Sequence, residues 1–184
     1  MNGQRASPVL RYLAQWDRNV CLALNRHAES PAVARFFRVI SRLGDGAIWY
    51  GMMVVFPLAL GTEGLWLTLK MGVSGLTGLA IYKLLKSKTE RPRPYVVYGT
   101  VTLAERPLDQ FSFPSGHTLH AFAFSIIVVD HLPAFGVILV PFVGLVAVSR
   151  MVLGLHFPSD VLSGAGVGIG VGTGVLYGFR LFGL

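Results

Sequence analysis

Val161-Leu-Ser-Gly-Ala-Gly-Val-Gly-Ile-Gly-Val-Gly-Thr-Gly-Val-Leu-Tyr-Gly-Phe179 is the stretch whose reading decides the fold. Glycine stands at 164, 166, 168, 170, 172 and 174, a run that superficially resembles a dinucleotide-binding loop. Such a loop follows a strand and opens a helix. This run follows no strand pattern and is embedded in an apolar stretch of membrane-spanning length, so it reads as a transmembrane helix. Glycines four apart let helices approach closely, and Gly164, Gly168 and Gly172 continue the helical face of Asp160. The last helix is therefore expected to pack tightly beneath Asp160 and its surroundings.

The rest of the chain agrees with a lipid environment. Of 184 residues, 53% are hydrophobic and only 14% charged, with a mean hydropathy of +0.58. That is more apolar surface than a soluble domain of this size could bury. The length suits one domain, residues 1–184, with amphipathic helices over 1–43 and a transmembrane core over 44–184. Sixteen Lys and Arg against nine Asp and Glu give a net charge of +7, which suits anionic lipid or a phosphorylated substrate. No nucleic-acid partner is expected, because the basic residues punctuate apolar helices or crowd one polar region, and no binding module is visible. Cys21 stands alone, excludes an internal disulfide and reads as a small buried hydrophobe. Met1–Arg5 is followed by no apolar signal region, so no removable signal peptide is expected and internal helices must drive insertion.

Toward the N-terminus, Val9, Leu13, Trp16, Val20 and Leu24 recur at helical spacing, which suggests a helix on the membrane surface. After Ser30-Pro31, the residues Val33, Phe36, Phe37, Ile40 and Leu43 form a second apolar face, with Arg35, Arg38 and Arg42 on its other side. The alternative is that both helices pack on the protein's own bundle. The segments 47–60, 65–85, 118–129 and 133–148 read as further membrane helices, giving with the last about five spans, possibly six. The fold class is an all-α polytopic transmembrane bundle with N-terminal amphipathic interfacial helices. Between Lys86 and Phe113 runs a polar connection with three prolines, and the chain is expected to leave its helix at Lys86.

Three polar clusters remain, and the helix count places them on one side of the membrane: Lys86 with Arg93-Pro94, then Pro114-Ser115-Gly116-His117, then Ser149-Arg150 with His156 and Asp160. Pro92 and Pro94 push Arg91 and Arg93 into extended conformations, presenting guanidinium forks suited to phosphate. Ser115 stands where a helix begins, a natural cap, and Gly116 allows close backbone approach, which together make an anion site. His156 and Asp160, four apart at a helix start, share a face, so the carboxylate can accept the imidazole N–H and leave the other nitrogen free to attack. The pairing favours protonated His156, whereas Arg150, Arg93 and Lys86 oppose it, which allows attack by the neutral ring near pH 7. Zinc ligation by His117, His156 and Asp160 is disfavoured by the surrounding cations, and no metal or cofactor is expected. His27, His120 and His131 lie outside the motifs and read as satisfied surface or interfacial residues. Ser41-Arg42 echoes Ser149-Arg150, but Ile48 stands where the histidine would be, so the echo reads as chance.

Lys86-x6-Arg93-Pro94, Pro114-Ser-Gly-His117 and Ser149-Arg150-x5-His156-x3-Asp160 together resemble the three-part signature of the type 2 phosphatidic acid phosphatase family, with no motif position departing from it. The resemblance implies a metal-independent phosphatase in a helical membrane bundle. It implies His156 as the phosphate-accepting nucleophile, Asp160 as its orienting partner and His117 as the group that protonates the leaving oxygen. It implies that Lys86, Arg93, Ser115, Gly116 and Arg150 hold the phosphoryl oxygens. The hydrophobic setting argues for a lipid phosphate or diphosphate: phosphatidic acid, phosphatidylglycerophosphate or a polyprenyl phosphate or diphosphate. A phosphotransferase using the same histidine, and a non-enzymatic transporter or scaffold, are the alternatives; an oxidase binding vanadate in a similar site fits less well, since such enzymes are soluble.

The resemblance also implies a bacterial inner-membrane location, with many such members acting at its outer face. Charge points the other way. With five spans, 14 of the 16 Lys and Arg fall on the motif side, leaving Lys70 and Arg180 opposite, so the positive-inside rule favours the cytoplasm.

Overall fold

The computed structural model describes residues 7–183. Met1–Arg5, with the signal-segment reading, and the Arg5 charge in the count above lie outside them. The helices are α1 (Pro8–Asn25), α2 (Pro31–Arg42), α3 (Ile48–Leu60), α4 (Thr62–Thr89), α5 (Pro94–Val97), α6 (Gly116–His131), α7 (Gly136–Val152) and α8 (Pro158–Leu181). There is no strand among the described residues, so the expected all-α bundle forms. Proline opens α1, α2, α5 and α8, where its missing N–H costs no hydrogen bond.

Four stretches are long and apolar enough to cross a membrane: Pro31–Leu60, Thr62–Val97, Pro133–Val152 and Pro158–Leu181. α6, at 16 residues, is about 24 Å long and shorter than a hydrocarbon core of about 30 Å. It is nonetheless the centre of the bundle, packed between α4, α7 and α8, with Leu119, Ala121, Ala123, Ile127 and Val128 fully buried. Counting α6, five helices connect two ends, in line with the expected span number. The chain is an integral membrane protein, and its outside is apolar while charge lies within. Leu58, Val137, Leu76 and Ile138 are more than 70% exposed, whereas Arg93 and His156 are each 2% exposed.

One end collects the C-termini of α4 and α7, the N-termini of α6 and α8, the turn between α2 and α3, and α1. The other end is tied by Arg180 to Asp130 at 2.5 Å, by His131 to Glu63 at 3.6 Å and by the Phe56 and Phe135 rings. Lys70 stacks over Phe179 toward that same end.

Two details, in α4 and α2, differ from the sequence reading, and α1 resolves an alternative that it left open. α4 does not end at Lys86 but runs to Thr89 and stops at Glu90, which takes the left-handed conformation at φ 42. The helix can continue because Lys86 finds partners inside the protein, and it must stop before Arg91, whose extended backbone precedes proline. α1 turns Asp17, Cys21 and Asn25 inward, while Val9, Tyr12 and much of Leu13 stay exposed and Trp16, Val20 and Leu24 are half-buried, so its apolar stripe lies along the flank of the bundle. α2 packs on α7 and is joined to α3 by a turn at Asp45 and Gly46, the latter at φ 121. Arg38 and Arg42 do not line a free face, because they bond Ala104 O and Glu105 of the loop above.

The glycine face of α8 lies against α6 as expected. A Cβ at Gly164 would come within 2.5 Å of Ser115 O, at Gly168 within 2.3 Å of Leu119 O, and at Gly172 within 2.9 Å of Ala123 O. Gly166, Gly170 and Gly174 face open space.

Candidate active site

The three sequence clusters meet at the polar end. Arg93 is the hub. Its Nη1 donates to Leu155 O at 2.8 Å and lies 3.2 Å from His156 Nε2, its Nε donates to Asp109 O at 3.1 Å, and its Nη2 donates to Asp109 Oδ1 at 2.8 Å. A guanidinium has no acceptor, so His156 Nε2 is the lone-pair nitrogen and the ring proton sits on Nδ1. That Nδ1 faces Asp160 Oδ2 at 3.7 Å, the pairing the i, i+4 spacing implied, but His156 precedes the extended cap Phe157 instead of sharing a helix face with Asp160, and the gap is longer than a hydrogen bond. Asp160 Oδ2 meanwhile accepts the Phe157 N–H at 2.8 Å.

The turn after α7 places His156. Gly154 at φ 76 folds the chain back so that the Leu155 and His156 N–H groups both donate to Arg150 O, at 3.0 and 3.1 Å. A Cβ at Gly154 would lie 2.6 Å from Thr102 O, so the turn also needs glycine for close approach. Arg150 itself is buried; it donates to Ser41 Oγ, and its Nε has no partner. His156 Nδ1 is likewise without a partner. Two orphan donors in one buried site call for a ligand or a shift on binding. Burial first, then the charges of Arg150 and Arg93, push the His156 imidazole well below the ordinary value of 6.5, so the ring is neutral.

Lys86 Nζ bonds Tyr82 Oη at 2.7 Å and Asp109 Oδ1 at 2.5 Å. Tyr82 also donates to Asp109. Burial alone would raise the Asp109 carboxyl, but the bonds from Lys86, Tyr82 and Arg93 outweigh it and hold the group down at about 2. A carboxylate thus bridges two of the cations assigned to phosphate. Ser115 sits at the N-cap position of α6, yet its hydroxyl pairs with Thr118 Oγ1 at 2.9 Å and makes no backbone cap bond, unlike the cap the sequence suggested. Its N–H donates to Asp160 O at 3.0 Å, tying the α6 and α8 starts together. Gly116 packs on Tyr82, whose ring would lie 2.9 Å from an added Cβ.

His117 Nε2 lies 3.1 Å from Asp45 Oδ1 in the turn between α2 and α3. Beside it opens a cavity of about 480 Å³ between α3 and α4, walled by Trp49, Met53, Leu76 and Leu79 and ending at Tyr82 and His117. His120, set aside in the sequence as peripheral, lines the same cavity, its Nδ1 2.9 Å from Gly116 O. His27 is exposed. Ser41, whose pairing with Arg42 looked accidental, is the residue that receives Arg150. Cys21 is buried, and burial, followed by Asp17 and Asp160, pushes its thiol up to about 12, an inert state.

Asp17, Asp45 and Asp109 were not selected from sequence. Each comes from a segment without a motif. The available signal was scarcity: acidic side chains are few in an apolar chain and rarely stand near its core without a partner.

Comparison with known proteins adds four likenesses. A family model for the PAP2 superfamily matches residues 64–182. The undecaprenyl-diphosphatase BcrC of Bacillus subtilis is 38% identical over 111 residues, 60% of this chain and 54% of that protein, so the match spans about half the relative's length. The crystal structure of Aquifex aeolicus LpxE superposes with a TM-score of 0.74 at 26% identity, covering 86% of this chain and 93% of that one. A transmembrane PAP2-type phosphatidylglycerolphosphate phosphatase from Bacillus subtilis shares the fold, with a TM-score of 0.73 at 24% identity over 95% of this chain and 88% of the other.

Proposed function

The chain belongs to the PAP2 superfamily, and from that premise we propose that it is a membrane lipid phosphatase in which His156 takes the phosphoryl group from a lipid phosphate or diphosphate. The observation that carries the proposal is the place of the His156 ring, buried among Lys86, Arg93 and Arg150 with its Nε2 3.2 Å from the Arg93 guanidinium; burial and those cations favour its neutral form. Nε2 attacks phosphorus, the bond to the leaving oxygen breaks, and His117 supplies the proton that oxygen needs. The Nδ1 proton turns to Asp160, closing the 3.7 Å gap as the ring gains positive charge. Water then cleaves the phosphohistidine with His117 acting as base. Lys86, Arg93 and Arg150 stabilise the charge on the phosphoryl oxygens, and Ser115 and Gly116 border it at the start of α6. Asp45 orients His117 by accepting from its Nε2.

The apolar cavity between α3 and α4 supports a substrate whose tail stays among lipid-facing side chains while its head reaches His117. The name of the 38%-identical relative makes a polyprenyl diphosphate the first substrate to test. The test is inorganic phosphate released by purified protein from a panel of lipid phosphates and diphosphates with EDTA present. Release from at least one lipid supports the reading; none from any lipid counts against it.

Phosphate must take over the bonds that Asp109 now makes with Lys86 and Arg93. Because the Asp109 carboxylate stays ionised above about pH 2, no ordinary pH removes this competitor. Asp109→Asn is therefore expected to lower KM and the inhibition constant for vanadate by up to about tenfold, roughly 1.4 kcal/mol. A raised KM would show instead that Asp109 organises the cations.

The catalytic end holds the basic N-terminal helices, which supports the cytoplasmic face; the outer face that many similar bacterial proteins use is the competing assignment. Labelling of a single cysteine introduced at Arg106, in a Cys21→Ser background, by an impermeant reagent in intact cells decides between them.

A further inference from the structure

The N-terminal helix reaches the nucleophile through two residues that the three motifs do not contain. Arg91 Nη1 donates to Asp160 Oδ1 at 2.6 Å and to Ser159 Oγ at 2.7 Å, and its Nη2 donates to Asp17 Oδ2 at 2.6 Å. Asp17 also accepts the Ser159 N–H at 2.8 Å and the Ser159 hydroxyl at 2.5 Å. The guanidinium lies over the Phe157 ring, 4.3 Å from its centroid. The Asp17 and Asp160 side chains are 4% and 0% exposed. The region matched by the family begins at residue 64, so Asp17 lies outside it.

We propose that Asp17 and Arg91 are positioning residues for phosphoryl transfer: Asp17 fixes the Arg91 guanidinium, and Arg91 fixes the Asp160 carboxylate against His156. The inference rests on the phosphatase reading and gives α1 a part in it. Asp160 has two oxygens to place. Oδ2 is set by the Phe157 N–H and faces His156 Nδ1. Without Arg91, Oδ1 would lose its cation, and a fully buried carboxylate without a cation is costly and free to turn. Arg91 alone would be a fork with one free tine. Asp17 occupies that tine, balances the charge and fixes the plane of the guanidinium.

Docking of α1 does not explain Asp17. Asn25, two turns further along α1, already ties the helix down: its side-chain nitrogen donates to Thr102 O and Val152 O, both at 2.9 Å, and its oxygen accepts the Thr102 N–H at 2.8 Å. What Asp17 adds is contact with the first turn of α8 and with Arg91. During transfer the His156 ring becomes cationic, and the Asp160 oxygen must close on Nδ1. A carboxylate held at both oxygens makes that move in one direction.

The experiment compares Asp17→Asn, Arg91→Lys and the double variant with wild type, measuring kcat and KM for phosphate release from a lipid diphosphate in detergent. Expected is a fall in kcat of about ten- to a hundredfold in each single variant, as misplacement near the reacting atoms produces, with KM nearly unchanged. The double variant should be no slower than the slower single, because both act on one carboxylate. Unchanged kcat in Asp17→Asn, an effect on KM alone, or full additivity overturns the proposal. Should Asp17→Asn fail to fold, Arg91→Ala with added ethylguanidinium replaces it: recovered kcat supports the proposal and no recovery overturns it. NMR of 15N-histidine protein reads the His156 Nδ1 proton without substrate, and an unmoved resonance in Arg91→Lys overturns it. Absence of wild-type turnover on every lipid would instead sink the phosphatase reading, leaving that resonance to judge the positioning.

Discussion

His156→Ala is expected to lower phosphate release from a lipid diphosphate by at least about 10³-fold, roughly 4 kcal/mol in the barrier, while leaving the thermal midpoint near that of wild type. The other nucleophilic groups of this end are engaged elsewhere, His117 with Asp45 at 3.1 Å among them. Ser115 is held by Thr118, Ser149 Oγ is turned onto Val146 O at 2.6 Å, and Cys21 is locked as a thiol by burial. Tyr82 is committed to Lys86 and Asp109. The pH dependence has a defined sign. The folded-state value of His156 is depressed, so the nucleophile is neutral above it and protonated only well below 6.5. An NMR titration of His156 should find the ring still neutral at pH values where an exposed histidine is half charged. A midpoint at or above 6.5 would remove the reason for neutral attack, and undiminished turnover in His156→Ala would remove the nucleophile.

What the sequence revealed and what it hid follow from how each residue finds its partner. Asp160, Gly164, Gly168 and Gly172 repeat every four residues along α8, so local geometry is enough to put them on one face, whereas His156 precedes the α8 cap Phe157 and reaches Asp160 only through the turn at Gly154. Lys86, Arg93, His117 and Arg150 are spread over several segments, but the alternation of spans returns each segment to the same end. Asp109 and Asp45 obey no such rule. They sit in a loop and a turn, and only the folded path brings them to Lys86 and His117. α1 shows what local geometry leaves open. The stripe Val9, Leu13, Trp16, Val20 and Leu24 is a genuine apolar face, yet the neighbouring stripe Asp17, Cys21 and Asn25 is the one that turns inward. In a membrane protein, the inside of the bundle can be more polar than its outside, so an apolar stripe does not by itself mark the side that packs on protein. Lys86 misled for the same reason. Its charge suggested a helix already in water, whereas it is buried and bonded to Tyr82 and Asp109 on a helix that continues another turn.

The seam between α6 and α8 makes the strongest stability prediction. Gly168→Ala is expected to destabilise the protein by about 2–3 kcal/mol, and Gly170→Ala, two residues away, to be neutral or stabilising by up to about 1 kcal/mol. Both changes add one methyl group and improve helix propensity, so propensity cannot separate them. Packing can. The added methyl at 168 would lie 2.3 Å from Leu119 O and 3.0 Å from Phe122 Cβ, and the nearest of these atoms is backbone that cannot swing aside. At 170 it meets nothing within 4 Å. Relief of the clash requires α8 to move off α6, which also strains the Ser115 N–H to Asp160 O bond that ties the two helix starts. Activity should therefore fall with stability in Gly168→Ala, through Asp160. Thermal midpoints in detergent and phosphate release, measured on both variants, check the two halves separately. Equal midpoints would mean that the seam yields, and a shifted midpoint with intact kcat would mean that the helix starts hold their register without it.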